Sequence, residues 1–158
     1  MSDASLTDDN EIPPLVLEFE VGAVPEHAFE TWVSRAHLWW PMGHTVSGGP
    51  VAVVFEPHHG GRIYERTVDG GELPWGEVID WEPPRRLRFL WHLFFDRQEA
   101  TTVEVTFEPS EGGTIVRLVQ TGWDAFGDDG APRRERTILG WGAVTDEYRR
   151  WIGNPAHA

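Results

Sequence analysis

The chain has 158 residues and a formal net charge of −13, so it lacks the positive potential that nucleic acid and anionic membranes require. Its thirteen cationic side chains are all arginine and cysteine is absent, which excludes lysine Schiff-base and P-loop chemistry, disulfides, thiol nucleophiles and thiolate metal sites. Nine tryptophans require a core or pocket with large apolar walls.

Residues 1–12 are acidic and polar, with Asp3, Asp8, Asp9 and Glu11, and are expected to form a flexible tail ahead of one domain over 13–158. Leu15 to Val21 alternates as a strand, with Leu15, Leu17, Phe19 and Val21 on one face. Pro25 opens a short helix over Glu26–Val33 whose buried side carries Ala28, Phe29, Trp32 and Val33. A helical turn, Ala36 to Trp40, closes at Pro41, and Gly43 to Pro50 reads as a loop.

Strand then follows strand: Val51–Phe55, Gly61–Thr67, Trp75–Trp81, Leu87–Phe95, Thr101–Phe107 and Thr114–Thr121. Gly/Pro-rich turns separate them, apart from one at Asp96 to Gln98, which predicts an antiparallel meander. Leu87, Phe89, Trp91 and Leu93 share a face opposite Arg86, Arg88 and His92. Val103, Val105 and Phe107 lie opposite Glu104 and Thr106, and Val116, Leu118 and Gln120 opposite Arg117. In Gly61–Thr67 and Trp75–Trp81 the pattern leaves the register open.

Pro132 to Ile152 is the one stretch long enough for a helix of several turns. Ile138, Trp141, Thr145, Tyr148 and Ile152, with Val144 and Trp151, give it an apolar face, and that face is expected to meet Val103, Val105, Val116 and Leu118 of the sheet. Gly153 and Pro155 end it, and Asp128 and Asp129 stand where carboxylates favour a helix N-terminus. Gly140 and Gly142 flank Trp141, each costing about 1 kcal/mol relative to alanine. That pair predicts either close backbone contact or an open space, and a side chain placed at Gly142 is expected to fill the space. There is no signal-peptide pattern and no apolar run of membrane-spanning length, so a soluble cytoplasmic protein is expected.

One strand, two short helices, six strands and a long helix is the order of the helix-grip fold. Val24-Pro25 with Phe29 and Trp32, Leu38-Trp39-Trp40-Pro41, Gly60-Gly61-Arg62, Gly76-Glu77-Val78 running to Pro83-Pro84-Arg85-Arg86-Leu87, Thr114, Gly122-Trp123 and Gly140-Trp141 form an ordered set over about residues 14–152. This set resembles the START/Bet v 1-like (SRPBCC) superfamily, in its branch similar to the C-terminal domain of heat-shock protein 90 ATPase activators. The resemblance implies an α+β fold in which a curved antiparallel sheet of about seven strands wraps the long C-terminal helix, with a cavity between them. It carries over no catalytic residue, because the superfamily has none in common.

Trp39, Tyr64, Phe89, Trp91, Gln120, Trp123 and Trp141 are the candidate ligand-binding residues. Aromatic walls supply contact area at small entropic cost, and an indole N–H needs an acceptor, which favours cavity edges. Strand alternation by itself explains Phe89 and Phe107 as core. Gln120 is the clear polar residue on the inward face, where it orients a ligand or bonds the long helix; Arg62, Tyr64 and Glu65 share the ambiguous register.

The histidines lack metal-ligand spacing and read as turn or surface residues, and the acidic loop after Trp123 lacks the calcium pattern. No metal, cofactor, serine elbow or catalytic triad is expected. The leading expectation is a binding protein for a small apolar or aromatic molecule. The alternatives are a polyketide cyclase- or aromatase-like enzyme, or a protein-interaction module similar to the chaperone activators, of which the resemblance covers the C-terminal domain alone.

Overall fold

In the computed structural model, residues 11–93 and 99–158 are described. Most of the expected tail, Phe94 and Phe95 of the fifth expected strand and the turn at Asp96–Gln98 fall outside them. The strands are β1 (Leu15–Val21), β2 (Ala52–Phe55), β3 (Arg62–Arg66), β4 (Glu72–Glu82), β5 (Arg86–Trp91), β6 (Thr101–Ser110) and β7 (Gly113–Thr121). They form one seven-stranded sheet in the order β1-β7-β6-β5-β4-β3-β2, with every pairing antiparallel. Helices α1 (Pro25–Ser34) and α2 (Ala36–Trp39) span from one edge strand to the other, and α3 (Gly130–Gly153) follows the sheet.

Alternation builds the β1, β6 and β7 faces as expected. Val103, Val105, Phe107, Val116, Leu118 and Leu15 are buried while Glu104, Thr106 and Arg117 are not. The middle of the sheet is less regular. Pairing of β3 with β4 runs from Ile63–Gly76 to Tyr64–Pro74, passing over Trp75, and that of β4 with β5 passes over Ile79. Each extra residue changes which face the strand presents. This settles the open register: Ile63 and Glu65 are fully buried, while Tyr64 lies under the guanidinium of Arg62, 4.5 Å from its ring. Beside the first irregularity, a Cβ on Gly76 would come within 2.0 Å of the Leu90 carbonyl oxygen. Only glycine lets β4 approach β5 there.

Helix α1 begins at Pro25, whose missing amide costs nothing at that position, and buries Ala28, Phe29, Thr31, Trp32 and Val33. Helix α3 begins at Gly130, two residues before the expected start, with Pro132 inside its first turn where no helical amide partner is lost. Its buried face carries Trp141, Val144, Thr145, Tyr148 and Ile152. The Tyr148 hydroxyl donates to the Ala28 carbonyl at 2.8 Å, tying α3 to α1. Asp129 precedes the helix, but its side chain does not cap it. Its carboxylate instead accepts from Arg133 Nε at 2.5 Å, one turn along, so the acidic loop acts through an ion pair rather than through the main-chain amides.

The loop after α2 contains a 3-10 turn, Met42–His44, and Glu65 anchors the residues that follow it. The buried Glu65 carboxylate accepts from the Val46 amide (2.6 Å), the Ser47 amide (2.9 Å), the Ser47 hydroxyl and Trp75 Nε1 (2.9 Å). Burial alone would raise its pKa; the hydrogen bonds from Ser47, Val46 and Trp75 outweigh that and hold it below the ordinary glutamate value. Ile12, placed in the expected tail, packs against the core, and its amide donates to Asp124 at 3.0 Å. No helix among the described residues is long and apolar enough to cross a membrane.

Candidate ligand-binding site

Between the first half of α3 and the ends of β5, β6 and β7 lies a cavity of about 430 Å³. That is within the ~300–1,000 Å³ typical of small-molecule sites. The sheet contributes Trp91, Thr101 and Gln120; the 3-10 segment Trp123–Asp129 contributes Trp123 and Phe126. Helix α3 contributes Arg133, Arg136, Thr137, Gly140, Trp141 and Val144, and the loop after α2 closes the wall with Trp40 and His44. Trp91 and Trp141 have ring centroids 5.2 Å apart, and Trp40 sits 5.9 and 6.1 Å from them.

Alternation along β7 turns Gln120 inward, where it is almost fully buried. Its Oε1 accepts from Trp141 Nε1 and its Nε2 donates to Thr101 Oγ1, each at 2.7 Å. Gln120 therefore bonds the long helix from the cavity wall. Trp123 Nε1 donates to the Gln120 main-chain carbonyl at 3.1 Å, and Trp40 Nε1 to that of His44 at 3.0 Å. These indoles meet their hydrogen-bonding need within the protein and turn aromatic surface to the space. The polar rim is held by Arg133, which pairs with Asp129 and with Glu99 (3.2 Å) and lies 4.1 Å over the Phe126 ring. The hydrogen bond to Asp129, with that to Glu99, raises its pKa and keeps it charged.

Of the residues nominated from sequence, Trp91, Gln120, Trp123 and Trp141 meet at this cavity, whereas Trp39, Tyr64 and Phe89 do not line it. Trp39 is packed against Trp32 and Tyr148, at 5.4 and 5.1 Å, and its Nε1 donates to the Thr31 carbonyl at 2.9 Å. Phe89 is fully buried between Phe55 and Trp91, at 5.8 and 5.4 Å. Tyr64 is on the other face of the sheet, as the β3 register dictates.

The histidine expectation needs correction as well. His44 and His92 both line the cavity, and His92 is only 6% exposed. Strand β5 ends at Trp91, so the alternation that would place His92 outside has already stopped. The glycine expectation shifts by two residues: Gly140 borders the cavity, while Gly142 faces open space and does not line it. Among the described residues no group of three or more His, Cys, Asp or Glu is placed to hold a metal.

A curved antiparallel sheet closed over a long C-terminal helix, with a cavity between the two, defines a helix-grip protein of the START/Bet v 1-like class. The family model described as Activator of Hsp90 ATPase homolog 1-like protein matches residues 22–150, and the chain belongs to that family. No curated protein sequence matches it. Among solved structures, the anthrahydroquino-γ-pyrone synthase Txn09 is 30% identical over 89% of this chain and 97% of its own, with a TM-score of 0.60. A Rhodobacter sphaeroides protein is 26% identical, covering 86% of this chain and 89% of its own, at a TM-score of 0.59. A Mesorhizobium loti protein, 23% identical over 87% of this chain and 95% of its own at a TM-score of 0.64, shares the fold.

Proposed function

We propose that this chain binds a planar aromatic small molecule in the cavity bordered by Trp40, Trp91, Trp123 and Trp141. The carrying observation is the cavity of about 430 Å³ bordered by four indoles, of which those of Trp40, Trp123 and Trp141 are hydrogen-bonded to the protein and leave their apolar faces for the space. Such walls favour a flat ring system over a flexible chain, because stacking and edge contacts add to the area buried. The 30%-identical structure supports this reading, since its name is that of a synthase for an anthrahydroquinone-γ-pyrone. Mass spectrometry of small molecules released from the purified protein tests it. An aromatic species at one equivalent per chain is expected; failure to retain any aromatic from a panel of two- to four-ring compounds contradicts it.

A second reading has its own observation. Two imidazoles, His44 and His92, face the same cavity, and an imidazole can take or give a proton near neutral pH. A cyclase- or aromatase-like activity follows if a bound polyketide is enolised there. Incubation with a phenolic 1,3-diketone separates the two readings: a cyclised product, with turnover, supports the enzyme, and unchanged release supports the binder.

A further inference from the structure

The polar groups of the cavity wall are mostly committed to one another. Gln120 is held by Trp141 and Thr101 through its amide, and by Trp123 through its carbonyl. Thr101 Oγ1, which accepts from Gln120, donates onward to the Trp91 carbonyl at 3.3 Å. Arg133 is drawn to Asp129 and Glu99, and Arg136 approaches Asp129 at 3.9 Å. His92 completes the set of titratable residues around the space.

His44 differs from these. Its main chain is fixed twice, by its amide donating to the Pro41 carbonyl at 3.0 Å and by its carbonyl accepting from Trp40 Nε1 at 3.0 Å. Among the described residues its ring nitrogens have no hydrogen-bond partner, although the ring lies on the cavity wall. Opposite it, α3 carries glycine at 140. A Cβ there would sit 3.7 Å from the His44 Cε1 and 3.8 Å from its Nδ1, in ordinary contact, so any longer side chain competes with the imidazole for the space. Glycine is a poor helix former in a helix interior, and here it leaves room for a ring whose nitrogens are uncommitted.

This arrangement rests on the binding reading above and narrows the ligand. We propose that His44 is the acceptor for an acidic hydroxyl of the bound aromatic, and that the ligand class is phenolic or enolic rather than bare hydrocarbon. Indole faces hold a flat ring but leave it free to turn in its own plane; one directed hydrogen bond removes that freedom. The proton passes from the ligand oxygen to the imidazole, leaving an imidazolium beside a phenolate. The net charge in the cavity is unchanged and no co-reactant is consumed.

The test compares alizarin, a dihydroxyanthraquinone whose visible band moves to longer wavelength on ionisation, with unsubstituted 9,10-anthraquinone. Wild-type protein is expected to bind alizarin about tenfold more tightly than anthraquinone, the factor for one good charge-assisted hydrogen bond. Binding should also move the dye's band to longer wavelength at a pH where the free dye is protonated. H44F keeps a flat ring at the position and should lose both the preference and the shift while still binding anthraquinone. H44Q can hydrogen-bond but cannot take the proton, so it should retain part of the preference without the shift. Equal affinity of wild type for the two dyes, or an H44F or H44Q protein that still shifts the band, overturns the proposal. Binding of neither dye overturns it together with the binding reading.

Discussion

The aromatic interior divides into two regions built from the same residue types. Around Trp32, the rings of Phe29, Trp39, Phe107 and Tyr148 interlock at centroid distances of 5.1 to 6.4 Å, and α1 itself supplies Phe29 and Trp32. Around Trp141, the rings of Trp40 and Trp91 come almost as close to one another, yet a cavity of about 430 Å³ lies beside them. What differs is the cover. The first region is filled by the continuous buried face of α1, and the second is bordered by a loop, a 3-10 segment and a helix that carries glycine at 140. Aromatic content alone therefore does not mark a pocket; the element laid across it decides whether the same rings become core or wall.

The difference is sharpest under truncation. Phe107→Ala, in the closed region, should lose about 3–5 kcal/mol in urea unfolding. Phe126→Ala, on the partly exposed cavity wall, should lose about 1 kcal/mol. Equal losses would erase the distinction between the two regions.

Glu65→Gln probes the anchor of the loop that closes the open region. At neutral pH it should cost about 2–3 kcal/mol, because an amide meets main-chain donors that a carboxylate satisfied. Since the folded pKa is depressed, this contribution is present above the unfolded glutamate value and is lost as the pH falls through the folded one. Denaturation curves of the two proteins should converge in acid, and a gap that persists there contradicts the assignment.

Tyr148→Phe, in the closed region, removes the hydrogen bond to Ala28 and should cost about 1–2 kcal/mol. Burial pushes the phenol pKa well above its ordinary value, so absorbance titration should show no ionisation of Tyr148 before the protein unfolds. Gly140→Leu should have the smallest effect on stability, within about 1 kcal/mol, because the gain in helix propensity offsets contact with His44. Dye uptake should nevertheless fall sharply. A variant that loses stability but keeps uptake would place residue 140 in packed core.

The strands with a regular inner face were legible from sequence. In β6 and β7 the period of two puts Val103, Val105, Val116, Leu118 and Gln120 inward without ambiguity, and Gln120 duly reaches Trp141 on the long helix. Tyr64 and Glu65 were not legible because the extra residue at Trp75 resets the pairing, a shift that no local pattern announces. His92 was hidden by the end of β5, and His44 by lying in a loop whose position depends on Glu65 and Trp40. Trp39 was nominated for its indole N–H, which finds the carbonyl of Thr31 eight residues away and needs no cavity.

The central claim is that the Trp141 region receives a ligand and the Trp32 region does not. The indole N–H signals of the tryptophans in a two-dimensional ¹H–¹⁵N NMR spectrum report on both at once. Titration with alizarin should shift the signals of Trp91, Trp123 and Trp141 and of neighbouring Trp40 most, and that of Trp32, which meets the cavity wall only through its stack on Trp141 at 6.4 Å, least. Shifts confined to Trp32, or no shift in any indole as the dye reaches saturating concentration, would contradict the account.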